Sequence, residues 1–343
     1  MEKTKRIKKL RISRKIIPLF MTAVMIFMLA GCGFDTDYSL ESTRFSSALH
    51  TSASTSSSVY VRSSFDEKRY PYFAMLTETE KNAYSFIYEE LSKGNQSFEC
   101  PVKIKADQLT KAVDSVLNDH PELFWLDINY GYSYDPIDGS IKDLNFNFYD
   151  FADTPEKLQK AKAEFNTAAE AVISKSRQYT TLAERELYIH DYICENTEYD
   201  VGAPYNQSAY SALILHRSVC AGYARCFQYL MQKAGYTCFY VTGRTEVRSG
   251  RESLGNYEDG AHSWNIVLLS GDYYNVDCLW DDTASETYGS AIYPFFNITD
   301  KDLLHHERIE MALALPRCTG TEYKYSNQFG PTIEVDSIVF ADD

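Results

Sequence analysis

The chain has 343 residues, 44% of them hydrophobic and 24% charged, an ordinary globular balance that is long enough for a sizeable core. Its formal net charge is −14, and the first 31 residues hold eight Lys or Arg against one Glu, so the remainder stands at about −21. A surface this acidic repels phosphates, which excludes nucleic acid as an expected partner.

Lys3, Lys5, Arg6, Lys8, Lys9, Arg11, Arg14 and Lys15 make a cationic start, and Ile16 to Ala30 is an apolar stretch too short to read first as a spanning helix. It ends in Leu29-Ala30-Gly31-Cys32, which resembles a bacterial lipobox. The resemblance implies that residues 1–31 are a lipoprotein signal peptide and that the Cys32 thiol carries a diacylglycerol. The expected location is then the extracytoplasmic face of the cell membrane, held by lipid. An ordinary signal peptide or an uncleaved anchor is the alternative. Residues 32–64 follow, with eleven Ser between Gly33 and Ser64 and few large apolar residues, a composition that predicts a flexible tether.

Residues 65–178 read as a mostly helical N-terminal region. Ala83, Phe86, Ile87 and Leu91 give Glu78 to Leu91 a helical period, and Ala112, Val113, Val116 and Leu117 do the same for Leu109 to Leu117. His120-Pro121 ends that helix before an aromatic cluster at Phe124-Trp125. Tyr130 to Tyr149 alternates weakly around Asp138-Gly139 and predicts a hairpin. Thr154 to Ser176 predicts a long helix with Pro155 in its first turn.

From Leu182 the pattern changes. Glu184 to Asn196 is expected as a helix with Leu187, Tyr188, Tyr192, Ile189 and Ile193 turned inward, and Ser208 to His216 as a short helix. Tyr223, Phe227, Leu230, Met231 and Ala234 then mark one face of a helix that Gly235 stops and Ser218 can cap. Cys220 falls in its first turn, where the unpaired N–H groups and the helix dipole stabilise a thiolate. Gly222 leaves room there for another element or a substrate. His262 opens the apolar run His262-Ser263-Trp264-Asn265-Ile266-Val267-Leu268-Leu269, and Ser270-Gly271-Asp272 turns the chain back through Tyr273-Tyr274-Asn275-Val276-Asp277-Cys278. A two-residue loop at Ser270-Gly271 sets His262 and Asp277 on one face as diagonal neighbours, roughly 7–8 Å apart at Cα. A loop at Gly271-Asp272 keeps the face and lengthens the reach. A thiol, an imidazole and a carboxylate so disposed can do nucleophilic acyl chemistry.

Val219-Cys220-Ala221-Gly222-Tyr223-Ala224, His262-Ser263-Trp264-Asn265 and Tyr274-Asn275-Val276-Asp277-Cys278-Leu279-Trp280-Asp281-Asp282 together resemble the transglutaminase-like superfamily of bacteria, with His190-Asp191-Tyr192 and Tyr199-Asp200 matching the segment ahead of the nucleophile. Cys278 and Leu279 depart from the β-branched or hydroxyl residues of many relatives. The resemblance implies an α+β fold with a papain-like core, a nucleophile helix packed on an antiparallel sheet, over residues 182–300. It assigns Cys220 as nucleophile, His262 as general base and acid, and Asp277 as orienting carboxylate. Residues 301–343 are expected as an extension that completes the sheet. The segment from His120 to Trp125 resembles one found ahead of such domains.

The Cys220 N–H is one expected oxyanion donor, with Gln207 and Tyr210 as candidates for a second. Trp264 and Asn265 are expected to support the sheet, with Trp264 also placed to shield the thiol. Asp281 and Asp282 read as turn or capping residues, and His190, His305 and His306 as helix or surface histidines. Among the remaining cysteines no spacing suits zinc, most are expected to be buried, and one or two bridges are allowed. No cofactor and no metal are expected. The leading function is a membrane-tethered thiol enzyme that transfers or hydrolyses the amide of a protein, peptide or cell-wall peptide through a thioester. The alternative is a non-catalytic binding module on the same scaffold, for which 27 Tyr would suit a ligand groove. A solute-binding lipoprotein is disfavoured because the region lacks a two-lobed α/β alternation.

Overall fold

A computed structural model of the chain describes residues 64–245 and 260–333. Cys32, the signal segment and most of the Ser-rich tether lie outside the described residues. No helix among the described residues is long and apolar enough to cross a membrane.

The N-terminal part opens with the short α1 (Pro71–Ala74) and then α2 (Glu78–Lys93). Thr77 and Glu80 form a reciprocal capping box at the start of α2, and Gly94 ends it with φ at 89°. After β1 (Ser97–Glu99), α3 (Ala106–Asp119) stops at His120, as the following proline requires. β2 (Leu126–Tyr134) and β3 (Ile141–Phe148) make the expected hairpin, with Gly139 at φ 71° in its turn, and β1 adds to the far side of β3. Thr154 caps α4 (Pro155–Ser176) with Pro155 at its first position.

α5 (Leu182–Asn196) starts with a second capping box, Thr181 and Glu184. Its buried face is Ala183, Glu186, Ile189, His190 and Ile193, while Leu187, Tyr188 and Tyr192 lie only partly buried at its margin. Hydropathy alone turns Glu186 and His190 outward; hydrogen-bonding partners inside the protein turn them in. The expected helix at Ser208–His216 is a single wide turn, Ser211–Leu215, closed by His216 at φ 58°. β4 (Glu198–Tyr199) and β5 (Arg217–Ser218) pair in parallel just before α6 (Cys220–Lys233).

The main sheet is antiparallel, in the order β8-β7-β6-β9, built from β6 (Thr237–Thr245), β7 (Ala261–Leu269), β8 (Asp272–Val276) and β9 (His306–Arg308). Ser270 and Gly271, both at positive φ, form a two-residue turn, so Leu269 faces Asp272 and the shorter of the two expected registers holds. Tyr223, Phe227, Leu230 and Met231 of α6 share one buried cluster with Cys238, Val267, Leu269 and Val276. A second cluster joins Phe239, Val241, Trp264 and Ile266 to Phe295, Ile298, Leu303 and Leu315 of the C-terminal part. The sheet is therefore covered on both faces. β8 ends at Val276, and Asp277 is the N-cap of α7 (Cys278–Tyr288) rather than a strand residue. α8 (Tyr325–Gln328) closes the described chain.

Candidate active site

Cys220 is the first residue of α6, preceded by Val219 as N-cap, whose side chain makes no capping bond. Ser218 does not cap, contrary to expectation. It is held back by β5 and joins Asn206 O (2.9 Å) and Ser211 Oγ (2.5 Å). The N–H of a first helical residue has no intrahelical acceptor, which leaves that of Cys220 facing outward beside its own sulfur. Gly222 serves packing with a neighbouring element: a Cβ there would lie 1.8 Å from Ser218 Oγ and 2.8 Å from Asn206 O. The Tyr199-Asp200 pair holds the same approach, since Tyr199 pairs with Ser218 and Asp200 N–H donates to Ser218 O at 2.9 Å. At the other end, Gly235 at φ 98° and the bonds Gly235 N–H to Gln232 O and Tyr236 N–H to Met231 O stop the helix.

His262 hydrogen-bonds the Cys220 thiol, and its Nε2 lies 2.5 Å from Asp277 Oδ2. With Nε2 committed to the carboxylate, Nδ1 is the ring atom left for sulfur. Asp277 Oδ1 accepts the Trp280 N–H at 3.0 Å, so the N-cap bond of α7 fixes the carboxylate's rotation. Burial opposes charge on His262, yet the Asp277 carboxylate and the thiol outweigh it and hold the ring's pKa up at about 10. Burial likewise opposes charge on Asp277, but His262 and then His306 keep its carboxyl well below the usual range.

The expectation that His306 is a helix or surface histidine is wrong. Its side chain is fully buried on β9, with Nε2 3.1 Å from Asp277 Oδ2 and Nδ1 2.9 Å from Leu304 O. His190, read the same way, is also buried; its Nε2 pairs with Asp281 Oδ2 at 3.1 Å and its Nδ1 faces Asp191 at 3.3 Å. Asp281 and Asp282 are accordingly not turn residues. They lie buried in α7, where Asp281 also accepts the Phe295 N–H at 2.7 Å and Asp282 accepts from Tyr223 OH at 3.0 Å. No local pattern marks such pairs in a sequence, because a polar residue on a helix reads as solvated.

Trp264 is buried and lies parallel to the His262 ring at 6.1 Å, with its Nε1–H given to Asn275 Oδ1 at 3.1 Å. It flanks the imidazole. Asn265 ties the sheet to α6 by donating to Ala224 O and Phe239 O. Tyr210 is not available as an oxyanion donor: its hydroxyl donates to Glu164 at 3.0 Å and its ring stacks on Phe151 at 4.2 Å. Gln207 is half-buried and lines a cavity of about 30 Å³ together with Phe124 and Arg225.

The described cysteines are all free thiols. Cys226, Cys238, Cys278 and Cys318 are buried, and burial pushes each thiol up in pKa. Cys220 is half-exposed. His190, Cys194 and Cys278 bring donor atoms within 4.8 Å of one another, but both ring nitrogens of His190 face carboxylates, which suits a hydrogen-bonded core cluster better than an ion.

Residues 167–278 match the family model of the transglutaminase-like superfamily. Among curated proteins, Kyphoscoliosis peptidase of Homo sapiens is 25% identical over 169 residues, covering 46% of this chain and 24% of that protein. Kyphoscoliosis peptidase of Mus musculus is 29% identical over 122 residues, covering 33% of this chain and 18% of that protein. The chain thus matches about a quarter or less of the length of these relatives. Among solved structures, the crystal structure of a TGase is similar with a TM-score of 0.30 at 12% identity, over 43% of this chain and 44% of that one. Residues 167–278 carry a transglutaminase-like domain, and the described residues form a mixed helix and sheet fold.

Proposed function

We propose that this protein is a thiol enzyme in which Cys220 attacks an amide carbonyl, His262 carries the proton and Asp277 orients the imidazole. The observation that carries the reading is the continuous chain of hydrogen bonds from Cys220 through His262 to Asp277, which joins a half-exposed thiol at a helix tip to a buried carboxylate. In this reading the thiol proton passes to His262, the thiolate adds to the carbonyl carbon, and the imidazolium returns the proton to the leaving amine as a thioester forms. The Cys220 N–H lies beside the sulfur, where the carbonyl oxygen gains charge. Water then releases an acid, which is hydrolysis, or an amine takes the acyl group, which is transfer. Both use the same residues. Proteins, peptides or cell-wall peptides are the proposed substrates, and a lipid on Cys32 the proposed tether to the extracytoplasmic face of the membrane.

The test is turnover of the full chain on a fluorogenic peptide amide, and on a glutaminyl peptide with a labelled amine. Cys220→Ala should lower either activity by about 10³-fold or more. Iodoacetamide should label Cys220 ahead of every other cysteine. Activity that survives Cys220→Ala refutes the mechanism. A Cys220 of ordinary reactivity with no turnover favours a binding module. For the tether, Cys32→Ser should release the chain from membranes and abolish incorporation of a labelled lipid precursor.

A further inference from the structure

Three groups converge on the Asp277 carboxylate: His262, the Trp280 N–H and His306. The first two follow from the thiol-enzyme reading. The third does not. We propose that His306 is a positioning residue that holds Asp277 for His262 near neutral pH and competes for that carboxylate when it gains a second proton, so that Cys220 loses its reactivity on the acid side. This rests on the thiol-enzyme reading and adds a regulation to it.

Nδ1 of His306 sits 2.9 Å from the Leu304 carbonyl oxygen, and Nε2 sits 3.1 Å from Asp277 Oδ2. A carbonyl and an ionised carboxylate can only accept. A neutral imidazole has one N–H for these two acceptors, whereas the imidazolium has one for each. The second proton is therefore received into a site already shaped for it.

The surroundings of the ring resist that proton. The His306 side chain is fully buried, and the His262 ring stands 5.2 Å away, centroid to centroid. Burial, and then the charge on His262, hold the His306 pKa below its ordinary value. Among the described residues, the titratable groups facing the ring are Asp277 at the head of α7 and His262 on β7. Trp264, Trp280 and Phe295 complete the wall without charge. On its own strand Arg308 is turned to Asp300, at 2.5 Å.

The consequence follows from charge. A cationic His306 shares the carboxylate and adds a positive charge beside the His262 imidazolium, in a site where water screens little. His262 then takes the Cys220 proton less readily, and a sulfur that keeps its proton is a poor nucleophile.

The experiment uses the full chain and two measurements. NMR follows the His262 ring resonances from about pH 4.5 to 11, in the natural sequence, in Cys220→Ala and in His306→Gln, which keeps an amide donor for Asp277 but cannot gain a proton. Iodoacetamide labelling of Cys220 is timed across the same range. His262 should show two steps wherever His306 is present and one step in His306→Gln. Near pH 5, Cys220 should be labelled about tenfold faster in His306→Gln than in the natural sequence, with equal rates near pH 8. A single His262 step in the natural sequence, or identical labelling profiles with and without His306, overturns the proposal. Should His306→Gln fail to fold, the titration of the natural sequence decides. The Cys220→Ala titration keeps the two readings apart, because it tests the histidine coupling where no thiol chemistry exists.

Discussion

His262 carries opposite consequences for stability and for chemistry. Its pKa is held up at about 10 by Asp277 and the thiol, so it contributes stability that is fully present below its unfolded value of about 6.5 and is lost as pH rises towards 10. Asp277 runs the other way. Its carboxyl is depressed, so its contribution is present above about pH 4 and is lost as acid protonates it. The difference in melting temperature between the natural sequence and His262→Gln, followed by circular dichroism, should shrink as pH climbs past 6.5 towards 10. A difference that grows in alkali contradicts the pairing. Cys226, Cys238, Cys278 and Cys318 are buried while Cys220 is partly exposed, so reagent access separates them.

Two elements set the distances at the site, α6 and the β7–β8 hairpin. The start of α6 is wedged under the loop from Asn206 to Ser218, and Gly222 is the point of closest approach. Gly222→Ala forces its new methyl into Ser218 Oγ and the Asn206 carbonyl, with an expected cost of about 1–3 kcal/mol in denaturant melts and a marked fall in Cys220 labelling. Undisturbed stability in that variant would show that the loop yields. Asp277 has two separable duties, because one oxygen caps α7 and the other meets the imidazoles. Asn at this position keeps the cap, whereas Ala loses it at about 1 kcal/mol. Asp277→Asn should therefore lose the stability of the ion pair, with its His262 titrating at lower pH, and Asp277→Ala should melt lower still by the loss of the cap. Equal melting of the two variants removes the capping role.

At the scale of the molecule, the helical N-terminal part and the transglutaminase-like domain share one core. Tyr72 OH donates to Tyr240 O at 2.8 Å, Gln228 Nε2 to Asn118 O at 2.8 Å and Ser208 Oγ to Phe124 O at 2.5 Å, while the Arg225 guanidinium donates to Leu117 O. The buried cluster that contains Ile87, Val116 and Phe165 also contains Tyr223, Phe227 and Val276. Removing residues 64–176 would bare that surface and leave Arg225 and Gln228 without their acceptors. A fragment of residues 182–333 should lack near-ultraviolet dichroism and bind a hydrophobic dye, and a cooperative melt of that fragment would show the core to be divisible.

Much of this was legible in the sequence wherever the determinants are local. Helical period, Thr and Pro at helix starts, Gly at helix ends and Ser270-Gly271 between two apolar runs act within a few residues, and they specify α2, α3, α4, α6 and the β7–β8 register. The same locality brings His262 and Asp277 together, because a tight hairpin fixes their relation from 15 residues apart. Tertiary packing decided the rest. It turned Glu186, His190 and Asp281 inward and moved Asp277 from strand to cap. It closed the sheet with β9, 29 residues beyond Asp277, and so delivered His306 to the same carboxylate. Periodicity reports which side of an element is apolar, and it is silent on a buried charge whose partner lies on another element.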